Sequence, residues 1–189
     1  MFIVKKRYYL IIKCTKEINL KNIKKYKKFA IIYRNQNNIE KKEDLFRFRK
    51  ICKLKSIDFY VANNLDLAIK LNADGIYLSA HNKSFQPLLV KKKKFKIIGS
   101  AHSNKEIFTK IKQKCEVIIL SKLFQVNYDK KAPYLGVTKF NNLLNINKNL
   151  IPLGGINSEN LNNLKIVRSQ GLVLMSEIKK KPAIISRLF

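Results

Sequence analysis

The stretch Ile151-Pro-Leu-Gly-Gly-Ile-Asn157 is a short apolar run that breaks at two adjacent glycines and continues into a polar, helix-like segment. A short, near-continuous apolar run bounded by glycines is typical of a strand buried on both faces, as in a parallel sheet. We predict that this strand covers Leu150–Ile156 and that the glycines lead the chain into a helix. The same unit recurs along the whole sequence.

Eight apolar runs rich in Ile, Val, Tyr and Phe are predicted to form strands. They cover Arg7–Lys13, Phe29–Arg34, Asp58–Asn63, Gly75–Ser79, Lys96–Ala101, Glu116–Phe124, Leu150–Ile156 and Gly171–Glu177. Their starts are about 23 residues apart on average, which leaves room for a helix between successive strands.

The segments between the strands carry helical patterns. Helices are predicted at Asn38–Ser56, Asn64–Leu71, Ser103–Lys114 and from Asn157 onward. Ser103 is followed three residues later by Glu106, which is the pattern of a capping box at a helix start. The basic segment Asn82–Lys94 is interrupted by Pro87, so its pattern leaves its structure open.

Eight alternations of strand and helix predict the α/β class and a single compact (β/α)₈ TIM barrel that occupies residues 1–189 as one domain. Typical barrels use ~250 residues, so we expect short loops and trimmed helices here. An open doubly wound sheet is the alternative. It usually carries a glycine fingerprint after its first strand, and this sequence has none there.

The chain is strongly basic, with 40 Lys and Arg against 12 Asp and Glu and a formal net charge of +28. Lys outnumbers Arg 34 to 6, and Ile and Asn are also abundant. Codon bias explains this composition more simply than selection for phosphate contacts, which often favours the planar Arg fork. A nucleic-acid-binding module stays an alternative, but no groove-reading motif or aromatic platform supports specific nucleic-acid binding.

The number and spacing of the cysteines and the hydropathy of the chain indicate a cellular compartment. Cys14, Cys52 and Cys115 are odd in number and widely spaced, which favours reduced thiols in a cytoplasmic protein over disulfides or a zinc site. No apolar run approaches the ~20 residues that span a bilayer. The start of the chain also lacks the small-residue cleavage site of a signal peptide. We therefore expect no membrane partner, while the oligomeric state is left open.

In a barrel of this kind, ligands bind where the strands end and the following loops begin. The loops after the seventh and eighth strands are a recurrent phosphate site. Gly154 and Gly155 let the backbone approach an anion, and Met175 and Ser176 end the eighth strand beside them. These four residues are the predicted phosphate-binding residues, and a tight strand-to-helix turn without a ligand is the alternative.

Four ordered segments resemble the thiamine phosphate synthase/TenI family. They are Ala73-Asp-Gly-Ile-Tyr-Leu78, Ile98-Gly-Ser-Ala-His-Ser103, Pro152-Leu-Gly-Gly-Ile156 and Val173-Leu-Met-Ser-Glu-Ile178. The resemblance runs from about residue 7 to residue 178 and implies a (β/α)₈ barrel. Synthases of this family join a hydroxymethylpyrimidine pyrophosphate to a thiazole phosphate and release pyrophosphate, usually with Mg²⁺. The implied partners are small phosphorylated heterocyclic substrates.

Several site residues follow from the resemblance. Gly154, Gly155, Met175 and Ser176 match the loops that hold the thiazole phosphate. Arg34 matches an arginine that meets the pyrophosphate, a role that suits a planar, permanently charged guanidinium. A salt bridge on the barrel rim is the alternative role for Arg34. Ser100 matches a serine near the pyrimidine.

Five positions depart from the synthase pattern. They are Gln36, Asn63, Asn82, Val126 and Asp129. Asn63 and Asn82 stand where two Mg²⁺-binding aspartates are expected, which removes two negative charges from the surroundings of the ion. We therefore assign no residue to a metal, although Mg²⁺ stays possible, and take both asparagines as substrate-binding. Tyr128, in the same altered loop as Val126 and Asp129, is predicted to stack on the pyrimidine.

The sister activity of the family, aromatisation of a thiazole phosphate tautomer, needs no metal and uses a histidine after the sixth strand. Lys122 occupies that position here. Lysine acts as a general acid or base only when its surroundings lower its pKa, so a solvated lysine or a phosphate contact is the alternative for Lys122. His102, after the fifth strand, is a second candidate acid or base or a ring-stacking group, and a structural hydrogen-bonding role is its alternative. The sequence thus leaves open a divergent synthase, a TenI-like tautomerase and a non-catalytic barrel that binds phosphorylated ligands.

Overall fold

A computed structural model describes residues 7–23, 26–35, 40–91, 94–126, 129, 131–157 and 159–174. Eight parallel strands form its centre. They are β1 (Arg7–Ile12), β2 (Phe29–Tyr33), β3 (Asp58–Ala62), β4 (Gly75–Leu78), β5 (Lys96–Ala101), β6 (Val117–Ser121), β7 (Leu150–Leu153) and β8 (Gly171–Leu174). Each strand from β1 to β6 is hydrogen-bonded to the next one along the chain, and β1 also pairs with β8. Because β7 and β8 lie side by side, the sheet curls into a nearly closed barrel.

The predicted barrel and its eight strands are confirmed, although several strands are shorter than predicted. The run Glu116–Phe124 contributes only Val117–Ser121 to β6, because the chain after Ser121 leaves the sheet as a loop. Similarly, β7 ends at Leu153 because Gly154 and Gly155 both have positive φ, which a strand does not allow. The end predicted for β8 at Glu177 lies outside the described residues.

Five α-helices lie in the described part of the chain. They are α1 (Lys42–Leu54), α2 (Leu65–Lys70), α3 (Asn104–Lys112), α4 (Gly136–Ile146) and α5 (Leu161–Leu164). The predicted cap of α3 is present, since the Ser103 side chain accepts a hydrogen bond from the Glu106 amide. None of the described helices is long and apolar enough to cross a membrane.

The expectation of a helix after every strand is wrong between β1 and β2, and the segment between β4 and β5, whose structure was left open, has no α-helix among its described residues. The described residues between β1 and β2 contain three short 3₁₀ helices, and those between β4 and β5 contain one, Gln86–Leu89. Pro87 lies in the first turn of that 3₁₀ helix, within the segment whose pattern was open. Conversely, α4 was not predicted; Phe140 and Leu144 are buried on one of its faces, and Val137 and Leu143 pack against the core beside them.

Two layers of apolar side chains make the core. The inner layer fills the barrel with inward-facing residues of the strands. Its members are Tyr9, Ile11, Ala30, Ile32, Tyr60, Tyr77, Ile98, Ile119, Ile151 and Val173. The outer layer packs the other faces of the strands against the helices and includes Leu10, Phe59 and Phe140. Because the interior is filled, the barrel is a packed core rather than a pore.

An ionic cluster lies at the amino ends of the strands. Arg7, Asp58 and Lys96 each stand two residues before an inward-facing residue, so strand alternation places them in the barrel interior. Asp58 pairs with Arg7 and, at 3.2 Å, with the Nζ of Lys96. The hydroxyl of Tyr60 also donates to Asp58, at 3.4 Å. This cluster occupies the bottom of the barrel, so a ligand site belongs at the opposite end.

Candidate active site

The carboxyl ends of the strands form the mouth of the barrel, where most of the predicted site residues lie. The residues placed there, at or just after the ends of β2 to β7, are Arg34, Asn63, Asn82, Ser100, His102, Lys122, Gly154 and Gly155. Gln36, Tyr128, Met175 and Ser176 lie outside the described residues. The fold therefore gathers residues that are up to 121 positions apart in the sequence, from Arg34 to Gly155.

The loops after β6 and β7 are joined at the two glycines. The amide of Leu123 donates to the Leu153 carbonyl at 2.9 Å, and the amide of Phe124 donates to the Gly154 carbonyl at 3.1 Å. Gly155 has φ +70°, and a Cβ there would lie 2.5 Å from the Phe124 carbonyl oxygen. Only glycine fits such a close approach of two backbones. The two glycines therefore let the loops after β6 and β7 pack directly against each other beside Lys122.

The helix that follows β7 is too short to provide a separate site. It is the four-residue α5, and the Asn157 side chain accepts hydrogen bonds from the amides of Glu159 and Asn160 at 3.0 and 3.1 Å. The Asn160 side chain in turn donates to the Gly155 carbonyl at 2.6 Å. Because those two amides are already bonded, a phosphate would be held by the glycine loop itself. The phosphate role of Gly154 and Gly155 stays a prediction.

Arg34 lies at the mouth above an interior pair of hydroxyl groups. The Tyr77 hydroxyl donates to the Ser100 Oγ at 2.8 Å, and both side chains are buried. Burial raises the pKa of Tyr77, while the bond with Ser100 and the positive charge of Arg34 act to lower it. Tyr77 and Ser100 thus form a polar pair from two strands, and the charge of Arg34, just after β2, acts on Tyr77. Tyr77 was missed as a site residue, although it is part of the quoted segment Ala73–Leu78.

A hydrogen-bonded pair joins the ends of β5 and β6. The Ser121 Oγ lies 2.8 Å from the Nδ1 of His102, and His102 is exposed at the mouth. The His102 amide donates to the Glu106 carboxylate at 2.6 Å. Burial raises the pKa of Glu106, but the hydrogen bond and the charge of His102 lower it more, so its net shift is downward. Ser121 was missed because nothing in the sequence links it to a histidine 19 positions away.

Lys122 follows directly and is partly buried. Its Nζ lies 3.8 Å from the Asp129 carboxylate, and its side-chain carbons lie against Gly154. The carboxylate of Asp129, which would repel a bound anion, is therefore paired with the positive charge of Lys122.

The two asparagines that replace carboxylates contact each other across the ends of β3 and β4. The Oδ1 of Asn63 accepts hydrogen bonds from the Ser79 amide at 2.9 Å and from the Nδ2 of Asn82 at 3.1 Å. The Oδ1 of Asn82 accepts from the Ser84 amide at 2.9 Å. Asn63 has φ +57°, a left-handed conformation that asparagine tolerates better than most residues.

These residues do not fit the Mg²⁺ that the resemblance implies. Mg²⁺ in proteins is held through carboxylate oxygens, and both amide oxygens here are already engaged within the protein. Among the described residues, no group of three or more His, Cys, Asp or Glu side chains is arranged to hold a metal ion.

Curated proteins are similar to this chain along most of its length. A thiamine-phosphate synthase from Persephonella marina is 28% identical over 157 residues, covering 80% of this chain and 74% of that protein. One from a strain of Prochlorococcus marinus is 29% identical over 147 residues, covering 76% of this chain but only 41% of the relative. This chain therefore matches less than half the length of the latter protein.

Solved structures share the fold. Thiamine phosphate pyrophosphorylase from Pyrococcus furiosus superposes with a TM-score of 0.73 at 16% identity and covers 98% of both chains. The corresponding enzyme from Bacteroides thetaiotaomicron gives 0.63 at 15% identity, covering 97% of this chain and 93% of that one. At these identities the likeness concerns the barrel alone.

The family model described as thiamine monophosphate synthase matches residues 8–178. The match begins at the second residue of β1 and extends beyond β8, so it includes every strand end that forms the mouth. With its barrel, its glycine loop after β7 and its curated relatives, this chain belongs to the thiamine monophosphate synthase family.

Proposed function

We propose that this chain is a divergent synthase that couples hydroxymethylpyrimidine pyrophosphate with thiazole phosphate and releases pyrophosphate. The observation that carries the proposal is the family match over residues 8–178. The expected partners are these small phosphorylated heterocycles, and the curated relatives named thiamine-phosphate synthase support that substrate class. The expected cytoplasmic location stays a prediction that rests on the free thiols.

In the proposed reaction, the bond between the exocyclic carbon of the pyrimidine and the pyrophosphate oxygen breaks, and its electron pair leaves with pyrophosphate. The thiazole nitrogen then donates its lone pair to the resulting carbocation. A carbon–nitrogen bond forms, and the ring nitrogen carries the positive charge. The protein must therefore hold two phosphorylated groups and stabilise the negative charge that grows on the departing one.

The residues at the mouth suit these tasks. The planar guanidinium of Arg34 can form two hydrogen bonds with the leaving pyrophosphate. On the other side of the mouth, the backbone of Gly154 and Gly155 can approach the thiazole phosphate, with Lys122 beside it. Ser100 would contact the pyrimidine through the same hydroxyl that Tyr77 orients. Met175, Ser176 and Tyr128 keep their proposed roles but lie outside the described residues.

A TenI-like thiazole tautomerase, or a barrel that only binds such ligands, is the second candidate. The hydrogen bond between Ser121 and His102 at the mouth favours a tautomerase, because an imidazole in that position can take up and return a proton. Lys122 lies next to this pair in the sequence, at the position where that activity uses its histidine.

A single-turnover assay with both thiamine precursors tests the proposal. We expect thiamine phosphate to form. An Arg34→Ala variant should lose about 100-fold in turnover, as happens when one donor to a developing anion is removed. Arg47→Ala is the matched control, since Arg47 is 76% exposed on α1 and does not stand at a strand end. Absence of product in a protein that still binds thiazole phosphate would exclude a synthase and favour the second candidate.

A further inference from the structure

A buried lysine lies behind the asparagine pair at the mouth. Lys110, on α3, is fully buried. Its Nζ donates to the backbone carbonyl of Asn82 at 2.7 Å and to the Oε1 of Gln113 at 2.9 Å. Burying a lysine is costly unless its amine is hydrogen-bonded, so these contacts explain how this one is accommodated. Neither the family resemblance nor the proposed reaction assigns Lys110 a role.

Gln113, directly after α3, completes the contact with the loop after β4. Its Nε2 donates to the Asn82 carbonyl at 3.1 Å and to the Ser84 carbonyl at 2.7 Å. The amide of Ser84 in turn donates to the side chain of Asn82. Lys110 and Gln113 therefore fix both the backbone and, through Ser84, the amide orientation of Asn82.

The hydrogen bonds also determine which atoms the asparagine pair presents to a ligand. The Oδ1 of Asn63 accepts two hydrogen bonds from the protein, so its Nδ2 keeps two hydrogens for a ligand, and Asn63 is exposed. The Nδ2 of Asn82 uses one hydrogen on Asn63 and keeps the other. The pair thus presents donors at a position where carboxylates would present acceptors.

We propose that the Asn63–Asn82 pair, held in place by the positioning residue Lys110, is a donor subsite that binds a phosphate oxygen of pyrophosphate directly, without a protein-bound divalent cation. This inference rests on the proposed function, because it names the part of the mouth that receives the leaving group. Donor groups attract an anionic oxygen and repel a cation, so the subsite reverses the polarity expected for a metal site.

Isothermal titration with inorganic pyrophosphate tests the subsite without requiring turnover. The titration is run with excess EDTA at about 0.15 M salt, which screens nonspecific attraction to the basic surface. We expect the unmodified protein to bind pyrophosphate under these conditions. Lys110→Met, which keeps the side-chain volume but removes the donor, should weaken binding about tenfold, as for the loss of a hydrogen-bonded positioning contact.

Lys112→Met is the matched control, because Lys112 is an exposed residue of the same helix and its loss removes the same formal charge. It should bind pyrophosphate as the unmodified protein does. The thermal midpoint of each variant is measured in parallel, so that a loss of binding without a loss of stability identifies positioning rather than folding.

The double substitution Asn63→Asp with Asn82→Asp tests, independently of Lys110, whether the subsite binds pyrophosphate through hydrogen-bond donors. We expect it to lose pyrophosphate binding in EDTA and to regain it when Mg²⁺ is added. Two results would overturn the inference. One is that the unmodified protein binds pyrophosphate only in the presence of Mg²⁺, and the other is that a folded Lys110→Met variant binds it unaltered. Failure to form thiamine phosphate with any cation would instead refute the proposed function, and the binding result would still stand.

Discussion

Replacing Gly155 with alanine tests whether the loops after β6 and β7 approach as closely as the structure shows. An added Cβ would lie 2.5 Å from the Phe124 carbonyl oxygen and closer still to the carbonyl oxygen of Gln125. Backbone atoms cannot move aside as the end of a flexible side chain can. We therefore expect Gly155→Ala to force the two loops apart and to disturb the predicted phosphate site.

Two contributions set the expected loss in the free energy of unfolding of Gly155→Ala. Gly155 has φ +70°, and the left-handed conformation costs a residue with a Cβ roughly 1–2 kcal/mol. Displacing the crowded backbone adds about 1–3 kcal/mol, the usual cost of inserting a methyl group where there is no room. The free energy of unfolding should therefore fall by roughly 2–5 kcal/mol.

Gly136 provides the matched control. It begins α4 with φ +71°, nearly the same conformation, but an added Cβ would meet no atom within 4 Å. Gly136→Ala should therefore show only the conformational cost, roughly 1–2 kcal/mol. The difference between the two variants, about 1–3 kcal/mol, measures the close approach of the loops.

The assay is urea denaturation followed by far-ultraviolet circular dichroism, since the chain has 8 Tyr but no Trp for a fluorescence signal. In a thermal melt, each kcal/mol corresponds to about 2–4 °C at this chain length. Titration of both variants with thiazole phosphate adds a functional readout, and only Gly155→Ala should lose affinity. If the two alanine variants are destabilised equally, the tight junction between the loops does not exist and the phosphate site must be placed elsewhere.

Two further predictions concern the core and the bottom of the barrel. Burial raises the pKa of both Cys52 and Cys115 to about 12, so at pH 8 these two thiols stay protonated and enclosed, whereas Cys14 is partly exposed. Ellman's reagent should therefore react rapidly with one thiol of the native protein. Rapid reaction of three thiols would contradict the buried positions of Cys52 and Cys115. Asp58→Asn removes the negative charge that lies between Arg7 and Lys96. The free energy of unfolding should fall by about 1–3 kcal/mol, which is less than for a fully buried ion pair because these side chains are partly exposed. Unchanged urea denaturation of that variant would show that the cluster is not stabilising.

Much of the fold could be predicted because each strand is buried on both faces and so appears as an apolar run. Leu150–Leu153 shows this directly, and the glycines that end it mark the turn. The helices were less predictable. Gly136–Ile146 mixes apolar and polar residues and begins with a glycine, and its helical structure depends on packing Phe140 and Leu144 against the barrel.

The candidate site was predictable only in part. The glycine loop, Arg34 and His102 stand at strand ends, which sequence can locate once a barrel is assumed. Tyr77 and Ser121 were missed, because their importance comes from neighbours on other strands. Lys110 was missed for a different reason. In a chain with 34 Lys, composition gives no sign that one of them is fully buried.

The sequence by itself determined the number and order of the strands, the approximate places where they end and the replacement of two expected carboxylates by Asn63 and Asn82. These are properties of apolar periodicity and residue identity, and both are local. Only the tertiary structure decided that the amide oxygens of this pair face the protein, that Lys110 fixes the loop behind them, and that His102 meets Ser121. Hydrogen-bond partners and burial depend on which strands and helices become neighbours in space, and spacing along the chain does not encode that.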